Sequence, residues 1–443
     1  MKLFSSTETL KRTLPYFTII RLCVIFIFLF FSHFQLKAQL LVENIYWKGL
    51  KKTKKSHLLR FIKHKVGKQY NPSLLADDEQ QIINLASIFN VKAQADTIND
   101  KVDITFEVEE AITFFPIVNF GGLRDNVWIQ LGATEQNILG RGIQATAFYQ
   151  NTDRRHNGQL HVRIPYLKGS KWGVSFGATR WASVEPLFFG DTSTVFFLYD
   201  NRAVSSSMIL EFGLNHTLEV GGSYFVESYR KDERHNGETT PGPASASLPK
   251  LLYKLTHRLD RRNYYHYLLR GWYLEQNLQF VQNLTDKKDP LFWMSWTDFH
   301  VYLSPKQSKL FNIASRLRLG LADNRDSPFA PFVLDSHVNI RGAGNRIDRG
   351  TASFVWNLEY RQTLIDVGHY AAQGVVFSDL GTWRKPGGAL SDLFSGKTTE
   401  HFLGIGIRLI YKKMHNAILR ADYGFDRNDA SNNGWVLGIG QYF

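Results

Sequence analysis

The chain has 443 residues, 44% hydrophobic and 14% aromatic, with 33 Phe, 19 Tyr and 10 Trp against 4 Met. Its mean hydropathy of −0.24 excludes a bundle of membrane helices and suits strands with one apolar face. The formal charge of +13 is spread along the chain. Its one dense run, Lys51-Lys52-Thr53-Lys54-Lys55, reads as a solvated loop, so nucleic acid is not an expected partner.

Residues 1–38 read as a secretory signal. Lys2, Lys11, Arg12 and Arg21 supply the charged region, Leu22 to Phe31 the apolar run, and Ala38 the small residue before cleavage. The apolar run is too short to span a bilayer as a helix, and no later stretch approaches the ~20 apolar residues required. The single cysteine, Cys23, lies inside this signal, which leaves the mature chain without a disulfide or a thiol nucleophile.

Residues 41–109 have the pattern of a small α+β domain. Val42, Ile45 and Trp47 mark a strand closed by Gly49. Ser56 opens a helix carrying Leu58, Leu59, Phe61 and Ile62 on one face, and Gly67 stops it. Pro72 and Ser73 open a second helix, with Leu75, Ile82, Ile83 and Leu85 inward. Val91 to Ala95 and Val102 to Val108 form two strands around the Asn99-Asp100 turn. This strand–helix–helix–strand–strand order resembles a POTRA domain, also in Gly67-Lys68-Gln69-Tyr70. The resemblance implies capture of extended polypeptide by strand addition at a sheet edge.

From Phe115 the period changes to two. Ile129, Leu131 and Ala133 alternate with Trp128, Gln130 and Gly132, and Leu160, Val162 and Ile164 alternate with Gln159, His161 and Arg163. Trp435, Leu437 and Ile439 repeat the pattern near the end. Residues 115–443 at ~20 per strand and connection give an all-β transmembrane barrel of about 16 antiparallel strands. Arg163, Arg318 and Arg408 within strands belong on the lumen side. Arg230 to Ala244 and Asn283 to Pro290 are expected as exposed loops.

Two stretches break the alternation. Val338-Asn339-Ile340-Arg341-Gly342-Ala343-Gly344 is too rich in glycine and charge to be a strand. Gly374-Val375-Val376-Phe377-Ser378-Asp379-Leu380-Gly381 is a strand in which Phe377, Asp379 and Gly381 share one face. A buried carboxylate on that face needs a partner, and arginine is the best fork-shaped one.

Together these stretches resemble the BamA/TamA family of outer-membrane proteins, which includes the two-partner secretion transporters. Glu135-Gln136-Asn137-Ile138-Leu139-Gly140-Arg141-Gly142 is similar to the family's first barrel hairpin. Ile340-Arg341-Gly342 is similar to its Val-Arg-Gly-aromatic loop motif, and Gly374 to Gly381 matches Gly-x-x-Phe-x-Asp-x-Gly. The resemblance implies that a long loop folds into the lumen and that Arg341 pairs with Asp379, Glu359 being a second partner. Ala343 replaces the family's aromatic, so a less firmly packed tip is expected. A final strand ending in Tyr442-Phe443 resembles the family's assembly signal at the seam between first and last strands.

The implied activity is non-enzymatic. A polypeptide client is captured by the periplasmic domain and inserted or passed through the barrel in the bacterial outer membrane, with periplasmic or lipoprotein accessory partners. A passive pore is the alternative reading. No cofactor or metal is expected: the 14 histidines lack zinc-ligand spacing and there is no phosphate loop. Gly173-Val174-Ser175-Phe176-Gly177 fits a hydrolase pattern, but that motif needs a strand-to-helix elbow, and here it lies in an alternating strand.

Overall fold

The computed structural model describes residues 40–443 except 122–127, 153–154, 168, 190–192, 235–241, 286–290, 306–309, 325–329, 335–337, 344–347 and 397. The signal at 1–38 and Gly344 of the loop stretch lie outside the described residues.

The N-terminal module is a three-stranded sheet with two helices. Strand β1 (Leu41–Lys48) runs parallel to β3 (Lys101–Glu110), and β2 (Ile88–Ile98) runs antiparallel to β3, giving the order β1-β3-β2. The β2–β3 turn is made by Asn99 and Asp100, both at positive φ, as a two-residue hairpin requires. Its core holds Val42, Leu58, Ile62, Ile82, Ile104 and Phe106, and Trp47 stacks on Phe106 at 4.6 Å between ring centroids.

Helix α1 (Lys55–Leu58) is one turn long, and Ser56 lies inside it instead of capping it. The reason is Asp78, fully buried on helix α2 (Pro72–Ile83). Its carboxylate accepts the backbone N–H groups of Lys63 (2.6 Å) and His64 (3.1 Å), donors that a longer helix would have used itself, and His64 Nδ1 at 2.7 Å. The capping residue of α2 is Asn71, whose side chain accepts from Ser73 N at 3.0 Å.

Sixteen strands then form one antiparallel sheet. They begin with β4 (Phe114–Gly121), β5 (Trp128–Ile138), β6 (Ile143–Thr152), β7 (Arg155–Ile164), β8 (Trp172–Phe189) and β9 (Ser193–Phe212). Next come β10 (His216–Lys231), β11 (Ser245–Tyr265), β12 (Leu268–Asn283), β13 (Phe292–Leu303) and β14 (Phe311–Ala322). A long loop follows, holding the short ribbon β15 (Phe332–Leu334) with β16 (Asp348–Gly350). The sheet resumes with β17 (Ala352–Val367), β18 (Tyr370–Arg384), β19 (Thr399–Tyr411), β20 (Ile418–Asp426) and β21 (Asn433–Ile439). Each strand pairs with its neighbour, and β21 comes round beside β4 without a ladder between them among the described residues, so the barrel is nearly closed.

The alternation sorts side chains between the two faces. Ile129, Leu131, Leu160 and Phe176 stand outward and exposed, while Asn157, Glu219, Asp298 and Asn357 are buried inward. Arg163, Arg318 and Arg408 pair with the carboxylates of Glu219, Asp298 and Asp422. No helix of the described residues is long and apolar enough to cross a membrane.

The module is docked on the short-turn end of the barrel. Gly140, at φ +70°, lets the β5–β6 turn approach so closely that a Cβ there would lie 1.9 Å from the Lys52 carbonyl oxygen. Asn137 holds that turn by accepting Gly142 N at 2.9 Å, and it donates to Thr53 Oγ1 at 2.9 Å. Asn84 accepts Tyr264 N at 2.9 Å, and Ile112 N donates to Lys413 O at 2.9 Å. Between these points His57 Nδ1 meets the Tyr166 hydroxyl at 2.7 Å, and the Arg60 guanidinium lies 3.9 Å from the centre of the Tyr166 ring.

Two predictions follow from these contacts. Asp78→Ala strands the amides of residues 63 and 64 and is expected to cost about 3 kcal/mol, read as lost hydrogen-exchange protection across β1–β3 with the barrel amides unchanged. Burial, then the charge of Arg60, pushes the His57 imidazole down to about 4. An undocked His57 titrates near 6.5 and takes up its proton first. Docking is therefore at full strength above about pH 6.5 and weakens toward pH 4, by at most about 3 kcal/mol. Distances between spin labels on Lys92 and Lys171 should broaden over that interval, and His57→Phe should remove the dependence.

Candidate functional site

Strand β18 is the wall of the site. Its alternation turns Phe377, Asp379 and Gly381 inward, where all three are buried. On β17, Asn357, Glu359 and Arg361 point the same way, and Asn357 pairs with Asp379 across the ladder. The loop between β16 and β14 reaches down to this wall with residues 338–343, and Arg341 at its tip has no solvent exposure.

The guanidinium of Arg341 meets Asp379 in a two-pronged contact, Nε to Oδ2 and Nη2 to Oδ1, each 2.8 Å, and the Arg341 backbone N–H also donates to Oδ2 at 3.0 Å. Its Nη1 donates to Glu359 Oε1 and lies 3.7 Å from Asp422 Oδ2 on β20. Asn357 Nδ2 bridges the tip and the wall, donating to the Asn339 carbonyl oxygen (2.7 Å) and to Asp379 Oδ1 (2.8 Å). Arg361 Nε donates to Glu359 Oε2 at 2.5 Å, and Arg408 Nη1 to Asp422 Oδ1 at 2.7 Å. Three buried carboxylates are thus shared among three buried arginines. Phe377 lies under the guanidinium, its ring centre 3.7 Å from Cζ, in space that Gly404 leaves open: a Cβ on Gly404 would meet the Phe377 ring at 2.2 Å.

Arg341, Asp379, Glu359 and Phe377 thus come together in one contact set. Gly342 and Gly381 are buried beside them, Gly342 at φ +94° on the tip. Ala343, read from the sequence as a weak point, is buried in an apolar cluster with Ile340, Val355, Trp383 and Phe402, so the wall supplies the bulk that the tip lacks. Tyr442 and Phe443 need a correction. They were expected in the seam strand, but β21 ends at Ile439. Gly440, at φ +89°, turns the chain inward, and Tyr442 and Phe443 lie in the lumen near Arg341, Arg316 and Arg361.

The sequence reading missed Asn357, Arg361 and Asp422. The signal was present, because Asn357, Glu359 and Arg361 occupy alternate positions of one strand and share its polar face. What linear order could not supply is the convergence of β17, β18 and β20 on one loop tip. Ser175 lies in mid-strand, paired with Arg163 and Ser207, with no elbow beside it. Among the described residues no group of His, Cys, Asp and Glu is placed to hold a metal ion.

Comparison with known proteins agrees with this architecture. The Omp85 superfamily domain matches residues 137–443, and a POTRA model described as a surface antigen variable number repeat matches residues 40–111. Curated protein sequences give no match. The fold is similar to that of BamA from Haemophilus ducreyi lacking POTRA domains 1–3, at 14% identity and TM-score 0.53, covering 90% of this chain and 83% of that one. It is also similar to CdiB from Escherichia coli, at 9% identity and TM-score 0.53 over 93% and 92% of the two chains. CdiB from Acinetobacter baumannii gives 10% identity and TM-score 0.52 over 91% and 74%. The chain belongs to the Omp85 superfamily, as an outer-membrane barrel with a POTRA domain on its periplasmic side.

Proposed function

We propose that the protein is a non-enzymatic assembly factor or translocator for polypeptides, in which the Arg341 contact set locks the long loop inside the barrel. Residues 1–38 are a cleaved signal, residues 41–109 receive an extended client, and residues 115–443 insert it or pass it at the β4–β21 seam. The observation that carries this reading is the fully buried Arg341, fixed to Asp379 and Glu359, while the first and last strands lie side by side without a ladder between them among the described residues. A barrel held by a loop and left open at one edge suits a client that needs backbone partners, because unpaired strand edges are templates for further strands. Periplasmic or lipoprotein partners would dock on the exposed surface of the module.

A double-mutant cycle tests the lock. Arg341→Ala leaves Asp379 and Glu359 short of their shared cation, and the loop is expected to lose about 3–5 kcal/mol of its hold. Asp379→Ala should give a similar loss, and the pair together less than the sum. Arg341→Lys should restore little, since an ammonium cannot reproduce the two-pronged contact. The readouts are protease cleavage of the loop and client assembly in cells, while the mobility shift of unheated barrel on electrophoresis reports folding. Wild-type assembly in Arg341→Ala, with steady conductance in planar bilayers, would instead indicate a passive pore.

A further inference from the structure

The loop tip rests on more than the β17–β18 wall, because its backbone packs directly on the last hairpin. A Cβ on Gly342 would lie 2.6 Å from the Gly424 backbone, and one on Gly424 would lie 2.3 Å from the Arg341 carbonyl oxygen. Gly434 pairs with Gly424 across the β20–β21 ladder, and a Cβ there would stand 3.0 Å from the Gly342 carbonyl oxygen. Tip and hairpin touch through main chain because these positions carry no side chains.

Past β21 the chain adds a second contact. Gly440 N donates to the Ile418 carbonyl oxygen at 2.7 Å, and the chain then turns inward. Gln441 accepts from Arg408 Nε at 3.3 Å. Tyr442, only 7% exposed, brings its ring centre to 4.3 Å from Arg341 Cζ. The carboxylates occupy the edges of the guanidinium, which leaves its faces to aromatic rings. Phe377 belongs to the wall, whereas Tyr442 belongs to the segment that continues the seam strand.

We propose that Tyr442 is a positioning residue that couples the loop lock to the seam hairpin. Strand β21 cannot swing outward without drawing this ring from Arg341. Arg341 cannot leave without its backbone sliding off Gly424 and Gly434. Loop release and seam opening are then a single transition. The proposal rests on the reading that the client acts at the seam, and its test needs no client.

The experiment uses the full chain in detergent with cysteines at Val118 and Trp435, both outward and exposed on β4 and β21. A flexible bis-maleimide reports the seam, and protease cleavage reports the loop. Tyr442→Leu keeps apolar bulk but removes the π face. It is expected to raise loop cleavage about tenfold and to lower cross-linking in step. Tyr442→Phe should behave as wild type in both, because the ring face suffices. Cross-linking the seam beforehand should protect the loop even in Tyr442→Leu. Should Tyr442→Leu fail to fold, Gly434→Ala disturbs the backbone contact of the same tip with the seam hairpin without touching an ion pair, and both readouts should again move together. A loosened loop with unchanged cross-linking, or a Tyr442→Phe protein as loose as Tyr442→Leu, overturns the coupling. Intact coupling with no effect on client assembly would count against the proposed function and leave the coupling standing.

Discussion

One buried guanidinium organises the lumen. Arg341 has no exposure to solvent, and an isolated charge there would be prohibitively costly. It is tolerated because Asp379 takes two of its edges, Glu359 another, and rings of Phe377 and Tyr442 cover it. The same demand passes outward. Glu359 needs Arg361 as well as Arg341, and Asp422 needs Arg408. These partners are distributed over four strands, so the charge balance of one loop residue fixes the relative positions of β17, β18, β19 and β20. Partial withdrawal would leave several charges unpaired together, which makes the docked tip an all-or-none state instead of a graded one.

The legibility of this arrangement follows the range of the interactions. Alternation of side chains is a two-residue property, so the strands and their lumen arginines could be read directly from Leu160 to Ile164 or Trp435 to Ile439. Arg341 and Asp379 were legible as an odd cation in a glycine-rich loop and an odd anion on a strand, joined by a resemblance. Two features were not legible. The one-turn helix at Lys55–Leu58 is cut short by Asp78, which lies beyond the next loop and competes for the amides of residues 63 and 64. The inward course of Tyr442 depends on a backbone reversal at Gly440, and a glycine among alternating residues does not announce its φ.

The POTRA module belongs to the same mechanical unit. It contacts turns separated widely in sequence, at Gly140, Tyr166, Tyr264 and Lys413, and so ties the start of the barrel to its last hairpins. Neutral His57 stacked beside Tyr166, with Arg60 on the ring, makes this part of the attachment aromatic in character, while Lys52–Glu135 and Lys413–Glu109 add ion pairs at its rim.

The strands differ greatly in length. Far from the seam, β9 has 20 residues and β11 has 21, whereas β4 has 8 and β21 has 7. At about 3.3 Å per residue and a tilt near 40°, the last strand rises only ~18 Å, short of the ~25 Å apolar band of such barrels. Lipid beside that edge must therefore compress, at a fraction of a kcal/mol per Å of mismatch. The bilayer is then strained at one line on the barrel's circumference, where the hydrocarbon is already thinned and less costly to enter than the surrounding membrane.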